Sequence, residues 1–283
     1  MIAIVIPFRP KSESANWALD VLLLKRTLVT ILRQTGNDYH VYVLYTDFPD
    51  TNLVHDCLTF SKFPFVSFSI RELNDYESLL SRHYDDVYFR RHLDKSRKIM
   101  WGCKLAKEAG YHYIMNVDSD DLISNRLLPF ILQHENEVDG WYIPGGYVHE
   151  YDKKYLLKIK SSMHLLNGST HVVNVSLIKV PNMESKEWTE INFFTDHGYL
   201  KKRVQIELGG QLIPIPFKAV VYSRTGINNI SEPHLIKLSL LKKCIKTILL
   251  FKPLSSSLII EFNLNAYKTE LLKTIRNKSL VKG

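Results

Sequence analysis

The sequence predicts an α/β domain on a mostly parallel sheet, and three observations carry that expectation. Apolar runs alternate with helix-period segments through the first 117 residues in the order strand–helix–strand–helix–strand. The last of these runs, Tyr113-Ile-Met-Asn-Val117, ends abruptly in Asp118-Ser119-Asp120-Asp121. Beyond that point the pattern becomes one of short extended segments, so the second half is expected to be more antiparallel and loop-rich.

Each element has its own signal. Ile2 to Ile6 is an unbroken apolar run, as in a strand buried on both faces, and Pro7 stops it. Trp17 to Arg33 carries Leu19, Leu22, Leu23, Leu28, Ile31 and Leu32 at helical spacing, broken by Arg26, and Gly36-Asn-Asp38 ends it. Tyr39 to Tyr45 is the second strand, closed by Thr46-Asp47, and Val66 to Ile70 is expected to be the third. Residues 72 to 94 are polar, aromatic and acidic and give no clear reading. Lys95 to Ala109 has helical period and stops at Gly110. Past Asp121, extended segments are expected at Trp141–His149, Tyr155–Ile159, Ser169–Lys179, Gln211–Pro216 and Ala219–Tyr222, with a short helix at Thr195–Val204.

Composition narrows the class. The 283 residues suffice for a sizeable core, and 45% hydrophobic with 23% charged residues is ordinary for a globular chain. Cys57, Cys103 and Cys244 lie far apart, which suggests neither a disulfide framework nor a zinc knuckle and points to a reducing compartment. No secretory leader and no apolar run of membrane-spanning length is read, so a cytoplasmic location is expected. The net charge of +8 suits nucleic acid, an anionic membrane or a polyphosphorylated substrate. It concentrates after Leu235, where ten Lys/Arg residues face only Glu261 and Glu270. A domain at 1–235 is therefore expected, followed by a basic amphipathic helical tail at 236–283. The tail is read either as packed on the domain or as lying on an anionic membrane.

Carboxylates two apart at a strand end can hold a divalent cation, and the cation a diphosphate. A single Asp there would be explained as a helix N-cap, but three exceed that need. Four ordered pieces then resemble the GT-A glycosyltransferases, and among them the large inverting family 2 class. They are Ile2-Ala-Ile-Val-Ile-Pro7; Lys98 to Ile114 with Gly102 and Gly110, followed by Asp118-Ser-Asp-Asp121; Thr195-Asp196-His197-Gly198 opening a helix; and Tyr222-Ser-Arg224-Thr-Gly-Ile-Asn-Asn229. The departures are Phe8-Arg9-Pro10 in the first loop, only Thr46-Asp47 after the second strand, Thr195 before Asp196, and Thr225 where the family often has His.

The resemblance implies a Rossmann-like GT-A fold, with a nucleotide-sugar half at 1–121 and an acceptor half at 122–235, and an inverting, metal-dependent transferase. Its donor would be a nucleotide-diphosphate sugar, by family habit a UDP-sugar. Its acceptor would be a glycan or lipid-linked, in a bacterial surface polysaccharide pathway at the inner face of the membrane. Asp120 would contact Mn2+ or Mg2+ directly, with Asp118 on ribose or reaching the metal through water, and Asp121 would brace the loop or cap a helix. His234 is a further metal candidate. Pro7 and Arg9 in the first loop, Asp47 on the base, and Arg97 and Lys98 on the diphosphate or base complete the donor set. Arg97 and Lys98 stand out because cations at a helix start oppose its dipole. Asp196 would be the general base, beside His197, and Trp141 and Trp188 would be acceptor walls. Two rivals stand beside this reading: a non-catalytic sugar-nucleotide binder, and a nucleic-acid-binding protein, for which no recognition motif is present. A nucleotidyltransferase would want a glycine-rich loop after the first strand, and Pro7-Phe-Arg-Pro10 has none.

Overall fold

The computed structural model describes residues 1–281 except Asn37, 81–85, 136–137, Asp152 and 225–249, and leaves the side chains of 79–80, 86–88 and 276–281 undescribed. The larger of its two sheets has seven strands in the order β10-β6-β9-β4-β1-β2-β3. Its parallel half is β1 (Ile2–Pro7), β2 (Tyr39–Tyr45), β3 (Leu58–Lys62) and β4 (Tyr113–Asn116). The other half is β6 (Gly140–Tyr142), β9 (His171–Asn174) and β10 (Ile213–Pro214), with β9 antiparallel to both β4 and β6. A smaller sheet of five strands contains β5 (Leu122–Ile123), β7 (Gly146–Glu150), β8 (Tyr155–Ile159), β11 (Val220–Arg224) and β12 (Phe251–Pro253). The fold is α/β, a mostly parallel central sheet flanked by helices with a mixed second half.

Two helices cover the parallel half because their apolar stripes match its two faces. The first, α1 (Trp17–Leu32), is capped by Asn16 Oδ1, which accepts from Leu19 N at 3.1 Å. It buries Leu24, Leu28 and Ile31 against Ile2, Ile4 and Ile6. A short helix α2 (Tyr76–Leu80) precedes α3 (Asp86–Glu108), which packs Ile99, Met100, Cys103 and Ala106 against Ala3 and Val5 on the opposite face. Gly102 permits that approach, since a Cβ there would lie 2.5 Å from Val5 Cγ1. Gly110, at φ +78°, ends the helix and returns the chain into β4, after which come the short helices α4 (Leu127–Gln133), α5 (Met163–Leu166) and α6 (Trp188–Ile191) and then α7 (His197–Glu207). A crossover helix runs antiparallel to the strands it joins, so the N-terminal half of α3 overhangs their C-terminal edge.

Several expectations change. The third strand is Leu58–Lys62, not Val66–Ile70, where Val66 is 86% exposed and Ile70–Glu72 forms a 3-10 turn inside a Ser69/Glu72 capping box. Helix α3 begins nine residues before Lys95, which takes Arg97 and Lys98 out of its first turn. Arg26, read as a break in α1, is buried, donates to Leu264 O at 3.0 Å and lies 4.7 Å from the Tyr151 ring centre.

Nor is the chain after 235 simply an appendage. Strand β12 pairs with β8, and α8 (Ser256–Phe262) buries Leu258 and Phe262 with Leu122, Tyr147, Leu156 and Val221. The next helix, α9 (Lys268–Val281), sets Leu271 against Leu19 and Leu23 of α1. Glu261 ties this region to the acidic loop by accepting from Ser124 Oγ at 2.7 Å and from Arg126. Residues 251–275 therefore belong to the domain, whereas the basic stretch Lys237–Lys246 and His234 lie outside the described residues. No helix among the described residues is long and apolar enough to cross a membrane.

Candidate active site

Strand order reverses between β1 and β4, where β2 and β3 continue to one side and β9 and β6 to the other. Ligands of open α/β sheets bind in the crevice outside the carboxyl ends of the strands at such a point. At that edge β1 delivers Pro7-Phe8-Arg9 and β4 delivers Asn116-Val117-Asp118-Ser119-Asp120. Phe8 continues the ladder through its N–H to Leu44 O at 2.8 Å, so buried Pro7 shapes the strand end. Gathered around the same edge are α3 with His92 and Lys95, the loop Asn167-Gly168-Ser169, and the start of α7 (His197–Glu207).

The three aspartates differ in environment. Asp121 is fully buried and accepts from Ser169 Oγ and Asn167 Nδ2, each at 2.6 Å, and from Ser223 N at 3.3 Å. Burial, then the charges of Asp120 and Asp118, raise its carboxyl well above the ordinary value, against the pull of the Ser169 and Asn167 bonds. It braces the loop. Asp118 is part-exposed, with Lys95 Nζ 2.6 Å from Oδ1 and its own N–H donating to Ser169 Oγ at 2.8 Å. Burial pushes its carboxyl up, but Lys95, His197 and Asn116 together outweigh that and hold it below the ordinary value. Asp120 makes no hydrogen bond or ion pair among the described residues. Burial and the neighbouring Asp118 charge push it up to about 6, against the more distant pull of Arg9 and Lys95.

A cavity of about 390 Å³ opens beside this edge, lined by Pro10, Ser12, Thr46, Asp47, Phe68 and Arg97 among others. Asp47 sits at its wall, one carboxylate oxygen accepting from Lys11 N at 2.7 Å. Arg9 points the other way, its Nε 3.8 Å from buried Asp20 and its charge felt at Asp120. Arg97 and Lys98 are engaged internally. Arg97 donates to Met183 O and Val66 O at 2.9 Å and lies 4.4 Å over Phe68, so it holds the cavity wall. Lys98 is fully buried and bonds Phe8 O and Asp94, each at 2.8 Å, which removes its ammonium from any ligand. That corrects its expected role: it ties α3 to the end of β1.

On the other side of the crevice, Asp196 stands at the N-cap of α7. Its side chain makes no capping hydrogen bond, and the residue is exposed. His197 is partly buried. Burial and Lys95 lower its pKa, opposed by Asp118 and Asp196, so the imidazole is neutral at pH 7 and shares a field with the acidic loop. His92 is lowered to about 3 by burial, Lys95 and His197. Of the two expected acceptor walls, only Trp141 is withdrawn from the surface, and Trp188 stays part-exposed. Trp141 is fully buried with its ring 4.9 Å from Tyr113, and Trp188 packs on Phe89 at 5.8 Å. Among the part-exposed aromatics near α7 is Tyr142, under Lys201 at 4.3 Å and 5.1 Å from His164.

Sequence reasoning passed over Lys95, Asn167, Ser169 and His92. Lys95 and His92 were legible as the overhanging end of the α3 face that carries Ile99, Gly102 and Ala106 at helical spacing. Asn167 and Ser169 left no such mark. As for a metal, oxygen donors suit a hard dication, and Asp120 is a part-buried carboxylate without a counter-charge of its own. Among the described residues no group of three or more His, Cys, Asp or Glu is gathered as a metal cage. A second hollow of about 360 Å³, outside α3 beside Phe65, Trp101 and Lys104, has Glu108 as its one acidic lining residue and holds none of the expected site residues.

No family model and no curated protein matches the chain. Among solved structures, S. aureus TarS 1–349 superposes with a TM-score of 0.41 at 15% identity over 78% of this chain, which spans only 60% of that one. The galactosyltransferase LgtC, in complex with donor and acceptor sugar analogs, gives 0.40 at 11% identity over 91% of this chain and 98% of its own. A 4-diphosphocytidyl-2C-methyl-D-erythritol synthase gives 0.35 at 11% identity over 88% and 97%. At this level of likeness the functional reading rests on the chain's own residues.

Proposed function

We propose that the protein is a glycosyltransferase that moves a sugar from a nucleotide-diphosphate donor to an acceptor hydroxyl with inversion. The observation that carries the proposal is the pairing of Asp118 and Asp120 at the switch point between β1 and β4 with the cavity walled by Asp47. A nucleoside in that cavity would place its diphosphate toward the acidic loop. Asp120, with Asp118 near it, would hold Mg2+ or Mn2+, ions that commonly take only one or two carboxylates and complete their shell with phosphates and water. Bound there, the cation would supply Lewis-acid neutralisation of the leaving diphosphate. His234 is retained as a further candidate ligand.

Asp196 would take the proton of the acceptor hydroxyl as that oxygen bonds the anomeric carbon and the carbon–oxygen bond to the diphosphate breaks, the electron pair leaving with the phosphate. Its exposed, uncapped carboxylate supports that role. His197, neutral and in the field of Asp118, is the second candidate for the same proton. A UDP-sugar donor, a glycan or lipid-linked acceptor, a bacterial surface polysaccharide pathway and peripheral attachment to an anionic membrane through Lys237–Lys246 complete the proposal.

A thermal-shift panel of UDP, GDP, CDP and ADP with and without Mn2+ tests the donor half, and Asp120→Ala should abolish the metal-dependent part of any stabilisation. Stabilisation by no nucleotide defeats the reading. Asp196→Asn should leave donor binding near wild type and lower turnover by about 100-fold or more. If His197→Gln shows that pattern and Asp196→Asn does not, the base is His197. A product of retained anomeric configuration rules out both.

A further inference from the structure

We propose that Lys95 is a built-in cation for the donor's diphosphate, held against Asp118 until phosphate arrives and able to bind it without a divalent ion. The inference rests on the donor reading above and names a residue for it. Position is the first support. The face of α3 that packs on the sheet runs through Ile99 and Gly102, and one turn earlier that face projects past the strand ends, so Lys95 overhangs the mouth of the crevice. Its ammonium lies 2.6 Å from Asp118 Oδ1 and 3.5 Å from the point where Gly168 would carry a Cβ. It thus sits in the cleft between the acidic loop and the 167–169 loop.

Availability is the second support. Lys98, one turn further along α3, is fully buried between Phe8 O and Asp94, whereas the Lys95 side chain keeps 28% of its surface. An ammonium has three donors, and Asp118 Oδ1 engages one. Charge is the third. A diphosphate entering beside Asp118 and Asp120 meets two carboxylates, and nearby cations must compensate. Arg9 is turned toward Asp20 at 3.8 Å, which leaves Lys95 as the cation in direct contact with the motif. Exchanging Asp118 for a phosphate oxygen replaces one charge-assisted hydrogen bond with another of similar strength. Gly168 leaves room for the exchange, since any side chain there would start 3.3 Å from Asp118 Oδ2.

The test is calorimetric titration of the full-length chain in EDTA with uridine, UDP and inorganic pyrophosphate. Wild type should bind UDP more tightly than uridine. Lys95→Met should weaken UDP and pyrophosphate by about tenfold or more, the scale of a charged hydrogen bond, and leave uridine unchanged. Lys95→Arg should restore most of the loss. Asp118→Asn, which releases the ammonium and removes a repelling charge, should keep or tighten UDP binding in EDTA. Three results overturn the proposal: UDP affinity unchanged in Lys95→Met, uridine and UDP weakened alike, or Asp118→Asn losing UDP as Lys95→Met does, which would make the pair a structural tie. Should wild type bind neither uridine nor UDP while another nucleoside diphosphate stabilises it, the same titrations apply with that nucleotide. Binding of none removes the donor reading, and this inference with it.

Discussion

Asp120→Asn should make the protein more stable while ending the metal dependence proposed for it. Burial and the adjacent Asp118 charge hold the Asp120 carboxyl at about 6, against an ordinary 3.8. The folded protein therefore binds this proton more tightly than the unfolded chain. Its stability is fully present below pH 3.8 and declines as the pH rises through 6. The full displacement corresponds to about 3 kcal/mol. Asp120 is part-exposed and titrates together with Asp118, so solvent screening and coupling reduce this to about 1–2 kcal/mol at pH 8. Asparagine keeps the shape and removes the charge. Urea unfolding in EDTA at pH 4.5, 6 and 8 should show an advantage for the variant that is smallest at pH 4.5 and grows to pH 8. With Mn2+ and nucleotide added at pH 8, wild type should recover the difference and the variant should not. A variant less stable than wild type at pH 8, or one whose advantage does not change with pH, would refute the electrostatic account of this loop.

Three further substitutions probe the frame. Asp121→Ala strips the acceptor from Ser169, Asn167 and Ser223 and should lower unfolding free energy by about 3–5 kcal/mol, whereas Asp121→Asn should lose less. Lys98→Met leaves Asp94 and Phe8 O unpaired inside the protein and should cost about 3 kcal/mol in the absence of any ligand. A stability unchanged from wild type would return Lys98 to the list of ligand contacts. Gly168→Ala sets a methyl group 3.3 Å from Asp118 Oδ2 and should leave melting within about 1 kcal/mol of wild type while weakening UDP binding, as isothermal titration would read.

How much of this was legible depended on whether a side chain's role was set by local pattern or by distant partners. Strands β1, β2 and β4 were readable because burial on both faces leaves an unbroken apolar run, and the acid ending the last of them marked the crevice. β3 was misplaced because it is an edge strand of mixed polarity, Leu-Thr-Phe-Ser-Lys, whose alternation is weaker than that of the exposed Val66–Ile70 loop beside it. Arg97 and Lys98 were drawn to the ligand by a helix-dipole argument that assumed the helix began at Lys95. With α3 beginning at Asp86, both are mid-helix cations satisfied by Met183, Val66 and Phe8, which are distant in sequence. The tail was set apart by its density of Lys and Arg, interleaved with apolar residues from Leu238 to Phe251. Between the lysines lie Leu258, Phe262, Leu264 and Leu271, whose partners Leu122, Tyr147, Leu156, Leu19 and Leu23 lie around a hundred or more residues away. Truncation before Phe251 would open the core, so the membrane proposal is better tested by charge reversal within Lys237–Lys246 than by cutting the chain.

The acidic loop shows how one local sequence acquires three environments. Asp118, Asp120 and Asp121 are chemically the same residue within four positions, and no propensity separates them. What separates them is which donors the fold places beside each. Asp121 turns inward onto Ser169, Asn167 and Ser223, and with three hydrogen bonds it holds the loop. Asp118 meets Lys95 and is held as a carboxylate. Asp120 receives no donor among the described residues and keeps a charge that burial disfavours. A carboxylate whose charge is left uncompensated at the mouth of a crevice is costly for a stable fold and well suited to a dication that arrives with its substrate. Buried Asp121 is thus scaffold, and the part-exposed Asp118 and Asp120 are the pair left for the proposed chemistry.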